Sequence, residues 1–151
     1  MTRIAEETIL RGTVVCDVTD PEGRNAAAFA QALGTRLGLR VVLALVLDSV
    51  RSGAQKTATS TLTAIANELG DGVEIRLEVG DRVEALARIA GEEGADLVIV
   101  SARAVGLGGR NLRCGLVRDL EAETAVPVLV APPSTRRRSE QRLAVGIATS
   151  G

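Results

Sequence analysis

Seven consecutive apolar residues, Val41 to Leu47, separate a glycine-closed helical pattern from a polar stretch. A strand with one wet face alternates apolar and polar side chains. An unbroken run rich in β-branched residues is what a strand covered on both faces shows. Leu97-Val98-Ile99-Val100 repeats the signature, and Thr13-Val14-Val15-Cys16 is a shorter instance. Sheets buried on both faces are mostly parallel, and parallel neighbours need a crossover between them, usually a helix.

The intervening segments supply those helices. After Asp20-Pro21-Glu22, residues Ala26, Ala30, Leu33 and Leu37 recur at helical spacing. This predicts a helix with Asp20 as N-cap, Pro21 in its first position and Gly38 just past its end. A second helix carries Leu62, Ile65 and Leu69 and stops at Gly70. The segment Val73-Glu74-Ile75-Arg76-Leu77-Glu78-Val79 alternates strictly, as a strand near a sheet edge does. Asp81 and Glu84 form a capping box for a third helix bearing Val83, Leu86 and Ile89. A glycine-rich loop is expected from Ser101 to Gly115, then a short helix with Val117, Leu120 and Thr124. Val126-Pro127-Val128-Leu129-Val130 reads as the last strand, placed at an edge, or started, by its proline.

Strands alternating with helices mean an α/β fold with helices on both faces of a parallel sheet. Such folds bind ligands beyond the carboxyl ends of the strands, where the strand order reverses. With strand order 3-2-1-4-5 the reversal falls between the first and fourth strands. Asp17-Val18-Thr19 and the 101–115 loop would then line one crevice.

Composition narrows the function. A chain of 151 residues with 46% apolar and 25% charged side chains is long enough for one domain with a real core. The net charge of −1 leaves no basic footprint for nucleic acid. There is no histidine, which removes imidazole as base, shuttle or metal ligand. Phe29 is the only aromatic, so base stacking on aromatic platforms is excluded. Cys16 and Cys114 form neither a CxxC pair nor a zinc site, and they read as reduced thiols of a cytoplasmic protein. Cys16 belongs to the core and Cys114 to the more exposed loop. No apolar run reaches the roughly 18 residues of a membrane span. Glu92, Glu93 and Asp96 read as a solvated face. No catalytic constellation emerges, and the chain is read as a non-enzyme without metal.

Three segments together resemble the universal stress protein family: Asp17-Val18-Thr19 closing the first strand; Gly80-Asp81, with Ala95-Asp96-Leu97-Val98-Ile99-Val100 downstream; and Ala125-Val126-Pro127-Val128-Leu129-Val130. The resemblance implies a three-layer sandwich with a five-stranded parallel sheet of order 3-2-1-4-5, Rossmann-like and similar to the adenine nucleotide alpha hydrolases. It implies a homodimer joined through Val126 to Val130 and a stress-response role in the cytoplasm. It also implies an adenine-nucleotide site, with Asp17, Thr19 and Val46 at the adenosine end and Ala104, Gly106, Gly109 and Gly115 in the phosphate loop.

The ATP-binding members carry G-x2-G-x9-G-[ST] in that loop. Here Ser101 and Ala104 stand at the first two glycine positions, Gly115 fits only after a one-residue insertion, and Leu116 replaces the hydroxyl. Binding of ATP or another adenine nucleotide is therefore expected to be weak or altered. Equally open is that Asp17 and Thr19 only support a turn and the loop is a plain connection, in a ligand-free structural or protein-interaction module of the same fold. Residues 1–133 are read as the domain. Residues 134–151 are read as a basic linker followed by Leu143-Ala144-Val145-Gly146-Ile147, a terminal strand or the start of a second repeat.

Overall fold

The computed structural model describes residues 12–49, 52–70, 72–102 and 112–133. Five parallel strands, β1 (Thr13–Asp17), β2 (Arg40–Leu47), β3 (Val73–Val79), β4 (Leu97–Val100) and β5 (Val128–Val130), form one sheet in the order β3-β2-β1-β4-β5. Helices α1 (Gly23–Leu37), α2 (Ser52–Leu69), α3 (Arg82–Glu93) and α4 (Leu112–Thr124) connect them.

Each strand splits its side chains between two cores. Val14, Cys16, Val41, Leu43 and Ile99 pack under α1 and α2. Val15, Val42, Ala44, Val98 and Val100 pack under α3 and α4. The continuous apolar runs are thereby explained, because both faces of β1, β2 and β4 are buried. Register is strongly specified, since a one-residue slip would exchange the two faces.

Helix α1 departs from expectation. It begins at Gly23 with Glu22 as N-cap, and Asp20-Pro21-Glu22 form a turn closed by Gly23 N–H donating to the Asp20 carbonyl at 2.8 Å. The Asp20 carboxylate does not cap because it is committed elsewhere, as described below. Gly38 ends the helix in the left-handed conformation that its lack of a Cβ permits. Asp81 does cap α3, its Oδ2 accepting from Glu84 N–H at 3.1 Å. Strand β5 is shorter than expected. Val126 N–H is turned back onto Thr124 Oγ1, while the Pro127 carbonyl accepts from Val98 N–H at 3.0 Å. Pro127 thus stands just before the strand, where its missing donor does no harm.

At the acidic end of α3, Glu92 and Asp96 are exposed as expected, while Glu93 departs from that reading and lies half-buried among arginines. Glu93 is bridged by Arg40 at 2.9 Å and Arg76 at 2.7 Å, and Arg76 also holds Glu92 at 2.6 Å. Asp96 Oδ2 accepts from Thr13 N–H at 2.9 Å and so fastens the start of β1. The alternation in β3 places Glu74, Arg76 and Glu78 on the α3 side of the edge strand, where ion pairs replace apolar packing. Hydrogen bonding by Arg76 comes first among the causes that hold the Glu93 carboxyl below its ordinary pKa; burial opposes it and Arg40 adds to it. The expectations for 134–151 fall outside the described residues.

Candidate functional site

The site is built where β1 stops. In the ladder Asp17 pairs with Ala44, and Val18 N–H still reaches the Ala44 carbonyl at 2.8 Å. One step further there is no strand left to receive Val46 N–H. The Thr19 hydroxyl takes that place, accepting from Val46 N–H at 3.0 Å. Thr19 Oγ1 in turn donates to Asp17 Oδ1, which also accepts Thr19 N–H at 3.1 Å. An aspartate bonding the backbone two residues on is an Asx turn. Asp17, Thr19 and Val46 are therefore joined in one chain of hydrogen bonds, and Asp17 is 1% exposed.

The other Asp17 oxygen is held by Arg82, the first residue of α3. Arg82 Nε donates to Asp17 Oδ2 at 2.9 Å, and Nη2 donates both to that atom and to Asp20 Oδ2, at 2.6 Å from the latter. Ser101 Oγ, at the end of β4, donates to the same Asp20 oxygen at 3.3 Å. Burial would lower the Arg82 pKa, but the charges and hydrogen bonds of Asp17 and Asp20 outweigh it and hold the guanidinium firmly protonated.

Sequence reasoning missed Arg82, Asp20 and Ser101 as a cluster. A signal was present: a cation at a helix N-terminus faces the positive end of the helix dipole and so calls for a carboxylate partner. Gly23 was also missed. A Cβ there would lie 2.5 Å from the Val18 carbonyl oxygen and 2.7 Å from its Cα, so only glycine lets α1 start against the turn that carries Asp20.

Of the expected phosphate-loop residues, Ala104, Gly106 and Gly109 fall outside the described residues. Gly115 lies in the first turns of α4 rather than in a loop, and a Cβ added there would meet nothing within 4 Å. Leu116 packs against the α3/α4 core. Cys16 is fully buried, and burial first, then the Asp17 charge, pushes its thiol pKa well up, which removes it as a nucleophile. The side chain of Cys114 is not among those described. Beside the cluster, a mostly apolar cleft of about 580 Å³ opens between the 18–21 turn, Leu45 and Leu47 of β2, and Ala54, Thr57 and Ala58 of α2. Thr19 and Asp20 form part of its wall. Among the described residues, no group of three or more His, Cys, Asp or Glu side chains could hold a metal ion, and no helix is long and apolar enough to cross a membrane.

No family model and no curated protein sequence matches the chain. Solved structures do. A universal stress protein from Archaeoglobus fulgidus in complex with dAMP superimposes with TM-score 0.62 at 20% identity, covering 82% of this chain and 99% of that one. A universal stress protein in complex with cAMP gives 0.63 at 20% identity, with coverage of 82% and 98%. A protein of the same family from Burkholderia pseudomallei gives 0.62 at 18%, with coverage of 82% and 98%. The fold is that of the universal stress proteins. In that fold the crevice between β1 and β4 is the point of strand-order reversal, and the Asp17–Arg82–Asp20 cluster stands at its mouth.

Proposed function

We propose that the chain is a universal stress protein-like stress-response domain of the cytoplasm. On this reading it is non-catalytic and binds adenine nucleotide weakly at the carboxyl ends of β1 and β2. The observation that carries this is the meeting of Asp17, Thr19 and Val46 at the carboxyl ends of β1 and β2, one strand from the β1–β4 reversal and beside an apolar cleft of about 580 Å³. Structural neighbours in complex with dAMP and cAMP support the ligand class. Asp17 and Val46 serve the adenosine end, and Ala104, Gly106, Gly109 and Gly115 border the phosphates. Ala104 and Leu116 replace a glycine and a hydroxyl that the phosphate loop of the ATP-binding members needs. Each lost charged hydrogen bond costs on the order of 1.5–3 kcal/mol, which together weakens ATP roughly 100-fold or more. The chain has no histidine and Cys16 is buried, so neither an imidazole base nor the Cys16 thiol is on hand for hydrolysis. The exposed edge of β5 supports a homodimer through Val126 to Val130, because soluble proteins normally cover such an edge.

Calorimetric titration with ATP and AMP tests the reading. The expected ATP dissociation constant is in the high micromolar range or weaker, on the order of −5 kcal/mol, with AMP losing proportionally less and Asp17→Ala abolishing both. A constant below about one micromolar would overturn it. The second reading, a ligand-free interaction module of the same fold, is favoured by one specific observation: the Asp17 carboxylate and the Val46 amide are already bonded within the chain.

A further inference from the structure

We propose that Arg82 is the ligand-selecting residue of this crevice, an internal occupant that a nucleoside must displace before Asp17 can accept a hydrogen bond from it. The inference rests on the reading of the crevice as an adenine-nucleotide site.

A carboxylate offers about four lone-pair positions. Asp17 receives four hydrogen bonds, from Thr19 N–H, Thr19 Oγ1, Arg82 Nε and Arg82 Nη2. It has no acceptor capacity left for a sugar hydroxyl or an exocyclic amine. The two bonds to Thr19 are local to the turn and also satisfy Val46, so they persist whatever enters. The two bonds to Arg82 come from another element, 65 residues away in sequence, and only these can be exchanged.

Exchange is costly because Arg82 Nη2 is shared with Asp20, itself fixed by Ser101 and by the Gly23 turn. The cluster as built also carries two carboxylates for one guanidinium, so a phosphate-bearing ligand meets uncompensated negative charge while a neutral nucleoside does not. Arg82 therefore sets both how tightly the crevice binds and what it prefers. It keeps Asp17 from donor groups, and its removal favours uncharged nucleoside over nucleotide.

The test is titration of wild type and Arg82→Met with adenosine and with ATP, followed by amide chemical shifts and calorimetry. Methionine keeps much of the aliphatic stem and removes the donors. The double variant R82M/D20N relieves carboxylate repulsion and serves where R82M alone fails to fold. The expected result is an adenosine affinity at least tenfold above wild type, with a smaller gain for ATP. A folded variant whose adenosine affinity equals that of wild type, measurable or not, would overturn the role of Arg82. The two readings fail separately. Wild type silent and variant binding would refute weak binding by the natural protein and leave Arg82 as the occupant. Wild type and variant binding equally would do the reverse.

Discussion

Removing the Asp17 carboxylate by Asp17→Ala takes away the acceptor of four hydrogen bonds at a position 1% exposed. Breaking a buried ion pair by deleting one partner costs about 3–5 kcal/mol, and an orphaned buried donor about 1–3 kcal/mol. Both figures need reduction here. The Arg82 side chain is 29% exposed and keeps Asp20, while Thr19 keeps Val46 N–H. A net loss of about 2–3 kcal/mol remains, which in a domain of this size lowers Tm by about 5–10 °C. Guanidinium unfolding of wild type, Asp17→Ala, Arg82→Met and the double variant forms a cycle that isolates the pair. The coupling between the two positions is expected to exceed about 1 kcal/mol, as contacting charged residues show. Additive losses, or an Asp17→Ala cost below about 0.5 kcal/mol, would refute an energetically coupled Asp17–Arg82 pair.

Gly23→Ala is expected to lower stability by about 1–3 kcal/mol despite alanine's better helix propensity, because its Cβ would meet Val18 backbone; thermal melts check this. Glu93→Gln tests the ion-pair lattice. With its folded pKa depressed below 4.5, Glu93 contributes stability that is fully present above pH 4.5 and lost as pH falls through the folded value. The variant is therefore less stable than wild type at pH 7, and the gap closes on acidification; melts at pH 7 and pH 3 read it. On β5, Leu129 is 39% exposed while Val128 and Val130 pack against the α3/α4 core. Leu129→Lys is expected to give folded monomer in sedimentation and Val128→Lys to unfold the chain. A wild-type monomer at high concentration would contradict the dimer.

The sheet was legible because burial on both faces leaves short, β-branched apolar runs bounded by turn residues, too short for buried helices. Val41 to Leu47 and Leu97 to Val100 announce central strands, and β3 shows its edge position by alternation. Asp17 and Val46 were named from the resemblance and not from local pattern, and the hydrogen bonds that join them through Thr19 come from two different strands. Charged side chains were harder. Asp20 before a proline looks like an N-cap, and nothing within ten residues shows that Arg82 claims it. Glu93 read as solvated because its partners, Arg40 and Arg76, come from other strands, and the bond from the Thr13 amide to the exposed Asp96 is equally distant in sequence. Local pattern reports the face a residue occupies; long-range ion pairing depends on which elements the topology brings side by side.

The central claim, an adenine-nucleotide crevice already partly filled by the protein's own side chains, is tested most directly by one measurement: amide chemical-shift titration of the wild-type protein with AMP. The account predicts fast-exchange shifts concentrated at Thr19, Val46 and Ser101, with a dissociation constant in the high micromolar range or weaker. Shifts confined to other regions, no shift at millimolar AMP, or saturation below about one micromolar would contradict it.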